Sequence, residues 1–117
     1  MYKRHLIALC ALSAALASAA SAETFRVVDT GTSREVRVSY SDLDLSHSEG
    51  AQVLIDRVRE ASRLACGDAP ILADLDGTAA YDACVVATAD RAIASVHSSA
   101  VQSMYQDTGR PQLLASR

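Results

Sequence analysis

The chain has 117 residues, which is enough for one small domain, and its formal net charge is −3. Its arginines are scattered and form no basic patch, so neither nucleic acid nor an anionic membrane surface is expected as a partner. With no Trp and one Phe, the chain has few large apolar side chains, and a covalent constraint would help to stabilise its core.

The N-terminal residues have the pattern of a secretory signal peptide. Lys3 and Arg4 precede the apolar stretch LIALCALSAALASAA, and small residues continue to position 22. We predict that residues 1–22 are removed by cleavage between Ala22 and Glu23, since the apolar stretch is short for a transmembrane anchor. The protein is then expected in the periplasm or outside the cell, without a membrane anchor.

Cleavage at this point would change both the charge and the cysteine count. It would leave 95 of the 117 residues, with 9 of the 11 positive groups and all 14 acids, so the formal charge would move from −3 to −5. Cys10 would be lost with the signal peptide, which leaves Cys66 and Cys84. An even number of cysteines in an exported chain is typical of a disulfide.

Two segments near the start of the mature chain are typical of β-strands. In REVRVSY, residues 34–40, Val36, Val38 and Tyr40 alternate with polar residues, which indicates a half-buried strand. The segment TFRVVD precedes it, and Gly31 between them suits a tight reversal. A hairpin alone is marginally stable in water, so we expect helices to cover its apolar face.

The first helix is predicted to begin near Ser46, where Ser46 and Glu49 form a capping-box pattern, and to end at Cys66 before Gly67. Apolar residues recur along it at spacings of three and four. They are Ala51, Leu54, Ile55, Val58, Ala61, Leu64 and Ala65. The remaining surface is expected to carry Asp56, Arg57, Arg59, Glu60 and Arg63.

A loop with Gly67, Pro70 and Gly77 is predicted to lead into a second helix from about Thr78 to about His97. The apolar face of this helix is expected to contain Tyr81, Val85, Ala89 (or Thr88), Ala92, Ile93 and Val96. A short helical turn, AVQSMYQ, follows. We place the domain at residues 23–106 and predict a loose C-terminal tail at residues 107–117.

The two remaining cysteines lie at the end of the first helix and within the second. Closing the loop of 17 residues between them would restrict the unfolded chain by about 3 kcal/mol. A redox site is a weaker alternative because the spacing is not Cys-x-x-Cys. A zinc site is also weaker, because His47 and His97 do not complete a zinc-binding pattern.

Acidic residues suggest an alternative function for the chain, the low-affinity binding of a cation. The DLDG segment resembles part of an EF-hand loop, but with Gly77 at the invariant glycine position the first and last ligands fall on Leu72 and Ala83. We expect an acidic turn in solvent there, and we expect Asp42 and Asp44 to accept hydrogen bonds from nearby backbone N–H groups. The candidate cation ligands are Asp42, Asp44, Asp74 and Asp76.

Several short motifs occur in a fixed order between residues 36 and 96. They are Val38-Ser39-Tyr40, Asp42-Leu43-Asp44-Leu45, Gly50, Arg57, Ala61, Cys66-Gly67, Tyr81, Cys84 and Ala92. Their order and spacing resemble the UrcA family of small exported proteobacterial proteins. The resemblance implies an exported α+β protein with the two cysteines joined, and it implies no activity. The chain departs from the family at Ser62, where Ala is frequent, and in its additional C-terminal tail.

These observations predict an α+β fold in which a β-hairpin packs against two antiparallel helices that one disulfide, Cys66–Cys84, clamps together. The sequence contains no Gly-rich phosphate loop and no nucleophile elbow. An enzyme would need a cleft that places His47 or His97 against a carboxylate. We therefore predict a non-enzymatic interaction or envelope-associated protein that needs no cofactor. Its partner is an unidentified protein or a second copy bound at the hairpin edge.

Overall fold

The computed structural model describes residues 24–28, 34–71 and 73–115. The predicted signal peptide, its cleavage site between Ala22 and Glu23, and Gly31 lie outside the described residues. The strands are β1 (Thr24–Val28) and β2 (Glu35–Ser39). The helices are α1 (Ser48–Cys66), α2 (Leu75–Ser95), α3 (Ser99–Met104), a π-helical segment (Tyr105–Gly109) and α4 (Arg110–Ala115).

The two strands form the predicted antiparallel hairpin, in the register that places Val27 opposite Val36 and Phe25 opposite Val38. Val27 and Val38 are buried against the helices. The rings of Phe25 and Tyr40 pack at the open end of the hairpin with a centroid separation of 5.8 Å. The alternation in the sequence therefore identified the buried face of β2 correctly.

The core lies between the hairpin and the helices, and α1 occupies its centre because it packs against both strands, α2 and α3. Most of the apolar residues predicted for α1 and α2 are buried, but Leu64 is 55% exposed and Tyr81 is only partly buried. The predicted end of α2 near His97 is late, because the helix ends at Ser95 and the buried Val96 is its C-cap. Ser62 of α1 is buried, and its hydroxyl donates to the Val58 carbonyl oxygen at 2.8 Å. The predicted α+β hairpin-and-helix fold is thus confirmed.

The second helix begins earlier than predicted, at Leu75 instead of Thr78. Asp74 is its N-cap, and the Asp74 carboxylate accepts a hydrogen bond from the Gly77 N–H at 2.9 Å. Asp is among the strongest N-cap residues because its side chain satisfies a free N–H of the first turn. Asp74 is therefore the start signal of α2, although its segment is predicted from the sequence as an acidic turn.

The residues predicted as a loose tail are helical and packed as far as Ala115. Tyr105 is the largest fully buried side chain, and its hydroxyl donates to Asp90 of α2 at 2.8 Å. Burial, with Asp90 close by, raises the pKa of Tyr105, so the hydroxyl remains a donor. Arg110 binds the same carboxylate, and Leu113 is buried.

Candidate functional site

The Cys66–Cys84 disulfide is present and joins the last residue of α1 to the middle of α2. The Cα atoms are 6.0 Å apart, a usual separation for a disulfide. Both cysteines are half-buried, and the hydroxyl of the buried Thr88 lies 3.6 Å from the Cys66 sulfur and 3.9 Å from the Cys84 sulfur. The predicted clamp between the two helices is confirmed.

Asp42 and Arg57 form a bidentate ion pair that ties the segment after β2 to α1. The two nitrogen–oxygen distances are 2.8 and 2.7 Å, and Arg57 also donates to the Ser39 carbonyl oxygen at 2.8 Å. Asp42 also accepts a hydrogen bond from its own backbone N–H, as predicted, and Arg57 lies on the surface of α1, as predicted. The ion pair between them was not predicted. The hydrogen bonds from Arg57 lower the pKa of Asp42 to about 2.

This ion pair predicts a specific pH dependence of stability. The pKa of Asp42 falls from its ordinary value of 3.8 to about 2 on folding, so the ion pair stabilises fully above about pH 4 and progressively less as pH falls to 2. We expect Asp42→Asn to lower the melting temperature at pH 7 by a few degrees. The difference from the unsubstituted protein should shrink as pH falls through this range.

A thermodynamic cycle with Arg57→Gln checks the assignment of this effect. Once Arg57→Gln has removed the partner, adding Asp42→Asn should lower the melting temperature little further. Melting curves measured by circular dichroism between pH 2 and pH 7 are sufficient. A constant temperature difference across that range would contradict the proposed role of the pair.

Asp44 organises the turn that leads into α1. It accepts from the Ser46 N–H at 3.0 Å, as predicted, and also from the Ser46 hydroxyl, and its Oδ2 lies 2.8 Å from His47 Nδ1. The Ser46 contacts, with a smaller contribution from His47, lower the pKa of Asp44. The predicted capping box does not form, because Ser46 is bonded to Asp44 and His47 is the N-cap.

A glycine in the first turn of α1 permits this arrangement. A Cβ atom at Gly50 would lie 2.1 Å from the carbonyl oxygen of Asp44. The same Asp44 oxygen accepts a hydrogen bond from the His47 N–H at 3.3 Å. The turn can therefore lie directly against α1 only because residue 50 has no side chain.

Ser46, His47 and Asp44 bring together the residue types of a hydrolase triad without its geometry. In a triad the serine and the carboxylate bind different ring nitrogens of the histidine. Here the Ser46 hydroxyl at 3.2 Å and Asp44 at 2.8 Å both approach Nδ1, and His47 is 76% exposed. The cluster therefore acts as a helix-initiating turn. It does not form an activated nucleophile.

His97 lines an open cleft of about 1010 Å³ that the same turn borders, between residues 40–46 and residues 96–100. Asp44 and Ser46 line the opposite side of this cleft. All three residues are exposed, so the cleft does not provide the desolvated environment in which catalytic groups are tuned.

The four carboxylates proposed as cation ligands are largely committed to other contacts. Asp42 binds Arg57, Asp44 binds Ser46 and His47, and Asp74 caps α2. Asp76 lies in the first turn of α2, where a negative charge favours the helix dipole. In the described part of the chain, no group of three or more His, Cys, Asp and Glu residues is arranged to hold a metal ion.

An apolar groove, which we call the β2 groove, runs between β2 and α1. It has a volume of about 380 Å³ and is lined by residues 36–39 and by Arg57, Glu60, Ala61 and Leu64. Leu64, predicted to be buried, forms part of its wall because the two-stranded hairpin does not extend over the whole apolar stripe of α1. Of the described strands, only β1 pairs with β2, so an apolar groove adjoins an open strand edge.

Comparisons with known proteins give no information about the site. No protein-family model, no curated protein and no solved structure matches this chain. Separately, no helix among the described residues combines the length and the apolar character needed to cross a membrane.

Proposed function

We propose that this chain is an exported, non-enzymatic binding protein of the UrcA type that takes an extended protein segment at the β2 groove. The signal-peptide pattern and the disulfide support export, because disulfides persist in oxidising compartments. The order of motifs between residues 36 and 96 supports the family assignment. Neither the export nor the family assignment requires a catalytic group.

One observation carries the binding proposal: the apolar β2 groove lies beside a strand edge that has no partner among the described strands. An extended segment can add to such an edge, where backbone hydrogen bonds supply affinity and side-chain pockets supply specificity. The groove provides an apolar wall through Val36, Ala61 and the exposed Leu64. An exposed strand edge without a partner would also promote aggregation.

Site-specific photocrosslinking in the native envelope tests this proposal. The full chain, with its own signal sequence, would carry a photoreactive residue at position 37 on β2 or at position 64 on α1. These positions line the same groove, so both should give the same discrete adduct. The matched probe at Ala87, an exposed residue of α2, should give none.

The mass of the adduct identifies the bound protein. Adducts that differ between positions 37 and 64, or that form equally at position 87, would contradict binding at the β2 groove. An absence of adducts at positions 37 and 64 would contradict it as well.

A further inference from the structure

We propose that the occupant of the β2 groove is a second copy of this chain, whose β2 pairs antiparallel with the first about a two-fold axis at Val36. This inference rests on the proposed function and narrows the partner to the protein itself. The result is a four-stranded sheet across the dimer.

One contact indicates which residues of β2 point their backbone N–H and C=O groups toward the open edge. The Ser39 carbonyl oxygen accepts from Arg57 of α1, so it points away from β1. In an antiparallel ladder the groups that point outward belong to every second residue. Glu35 and Arg37 therefore present their N–H and C=O groups at the same outer edge as Ser39, and they can form the hydrogen-bonded pairs of a new ladder.

Charge selects the register of the two strands. Within one chain Arg37 lies directly opposite Arg26, and a single carboxylate, Glu35, lies 3.0 Å from Arg26 and 3.7 Å from Arg37. Pairing centred on Val36 places Glu35 of each copy opposite Arg37 of the other copy, which forms two cross-strand ion pairs. Pairing centred on Arg37 would place two arginines opposite each other, which is unfavourable.

The same register also covers apolar surface. Val36 of one copy meets Val36 of the other on the face toward α1, beside Ala61 and the 55% exposed Leu64 of the groove wall. Because both copies use the same surface, the contact closes as a dimer and does not propagate.

Sedimentation velocity of the purified mature protein over a concentration series tests the dimer and its register. The chain without substitutions should sediment as a monomer–dimer equilibrium. Glu35→Arg and Arg37→Glu should each raise the dimer dissociation constant roughly 5–30-fold, because two opposite-charge cross-strand pairs become like-charge pairs. Asp107→Arg, an exposed site in the π-helical segment, should leave the constant unchanged.

Two combinations should restore association to within about threefold of the original constant, since each returns opposite charges to both pairs. One is an equimolar mixture of the two single variants, and the other is the double variant Glu35→Arg/Arg37→Glu. Circular dichroism must show that every variant is folded. If the double variant still dimerises as weakly as the single variants, the register centred on Val36 is overturned.

A purely monomeric protein at high concentration would overturn the dimer itself. If the protein is monomeric but positions 37 and 64 still crosslink to a different protein, the proposed binding function stands and the second copy is rejected. If neither dimer nor adduct is found, both proposals fail.

Discussion

Replacing both cysteines, as Cys66→Ala/Cys84→Ala, is expected to lower the free energy of unfolding by about 3 kcal/mol, because the unfolded chain regains the freedom of the loop that the disulfide closes. For a domain of this size, that loss corresponds to a fall in melting temperature of roughly 12–24 °C. A small single domain has a total stability of about 5–15 kcal/mol. The disulfide therefore supplies a large share of it.

Reduction provides the matched control for this prediction. The chain with both cysteines, measured in the presence of a strong reductant, should melt close to the double variant measured without one. Denaturant unfolding under both conditions yields the two free energies. A double variant as stable as the oxidised chain would contradict the clamp, as would alkylatable thiols in the unreduced mature protein.

The disulfide also positions the wall of the β2 groove. Cys66 ends the last turn of α1, and Leu64 lies in that turn. The next residue, Gly67, has a φ of 88°, and a Cβ atom there would lie 3.3 Å from the Arg34 guanidinium beside β2. The disulfide thus holds the turn that contains Leu64 against α2. Loss of the disulfide should weaken binding at the groove.

Short-range patterns in the sequence were sufficient to predict the main elements. The alternation in β2 and the three- and four-residue spacing in α1 are local signals, and the predicted removal of Cys10 leaves one possible intrachain pair of cysteines. The Asp42–Arg57 contact joins residues 15 apart, and the Tyr105–Asp90 contact joins two helices. Such contacts depend on how the helices pack, so they cannot be predicted from local sequence patterns.

Two predictions from local patterns were wrong, each because of a contact or a surface that the pattern does not contain. Ser46 does not cap α1 because the neighbouring Asp44 binds its hydroxyl. Leu64 belongs to the apolar stripe of α1 but lies beyond the area that the hairpin covers. The exposure of Leu64 bears on function because its side chain adds an apolar wall beside the open edge of β2 at the β2 groove.

Tyr105→Ala is expected to lower the free energy of unfolding by about 3–5 kcal/mol, since it empties the space of the largest fully buried side chain. It also removes the hydroxyl that donates to Asp90. The surrounding residues leave little room for rearrangement: a Cβ atom at Gly109 would already lie 2.8 Å from the Tyr105 ring. Denaturant unfolding of the oxidised mature chain measures the loss.

Tyr105→Phe separates the ring from its hydroxyl. It keeps the ring in the core and leaves Asp90 bound to Arg110, so we expect a loss of about 1 kcal/mol. The two variants together distinguish a packed C-terminal region from a loose one. If α3 and the π-helical segment contributed nothing to the core, Tyr105→Ala would lower the free energy of unfolding by no more than the about 0.5 kcal/mol typical of surface substitutions. A Tyr105→Ala loss several times larger than 0.5 kcal/mol, of which the Tyr105→Phe loss is only a small part, would establish that these helices complete the domain.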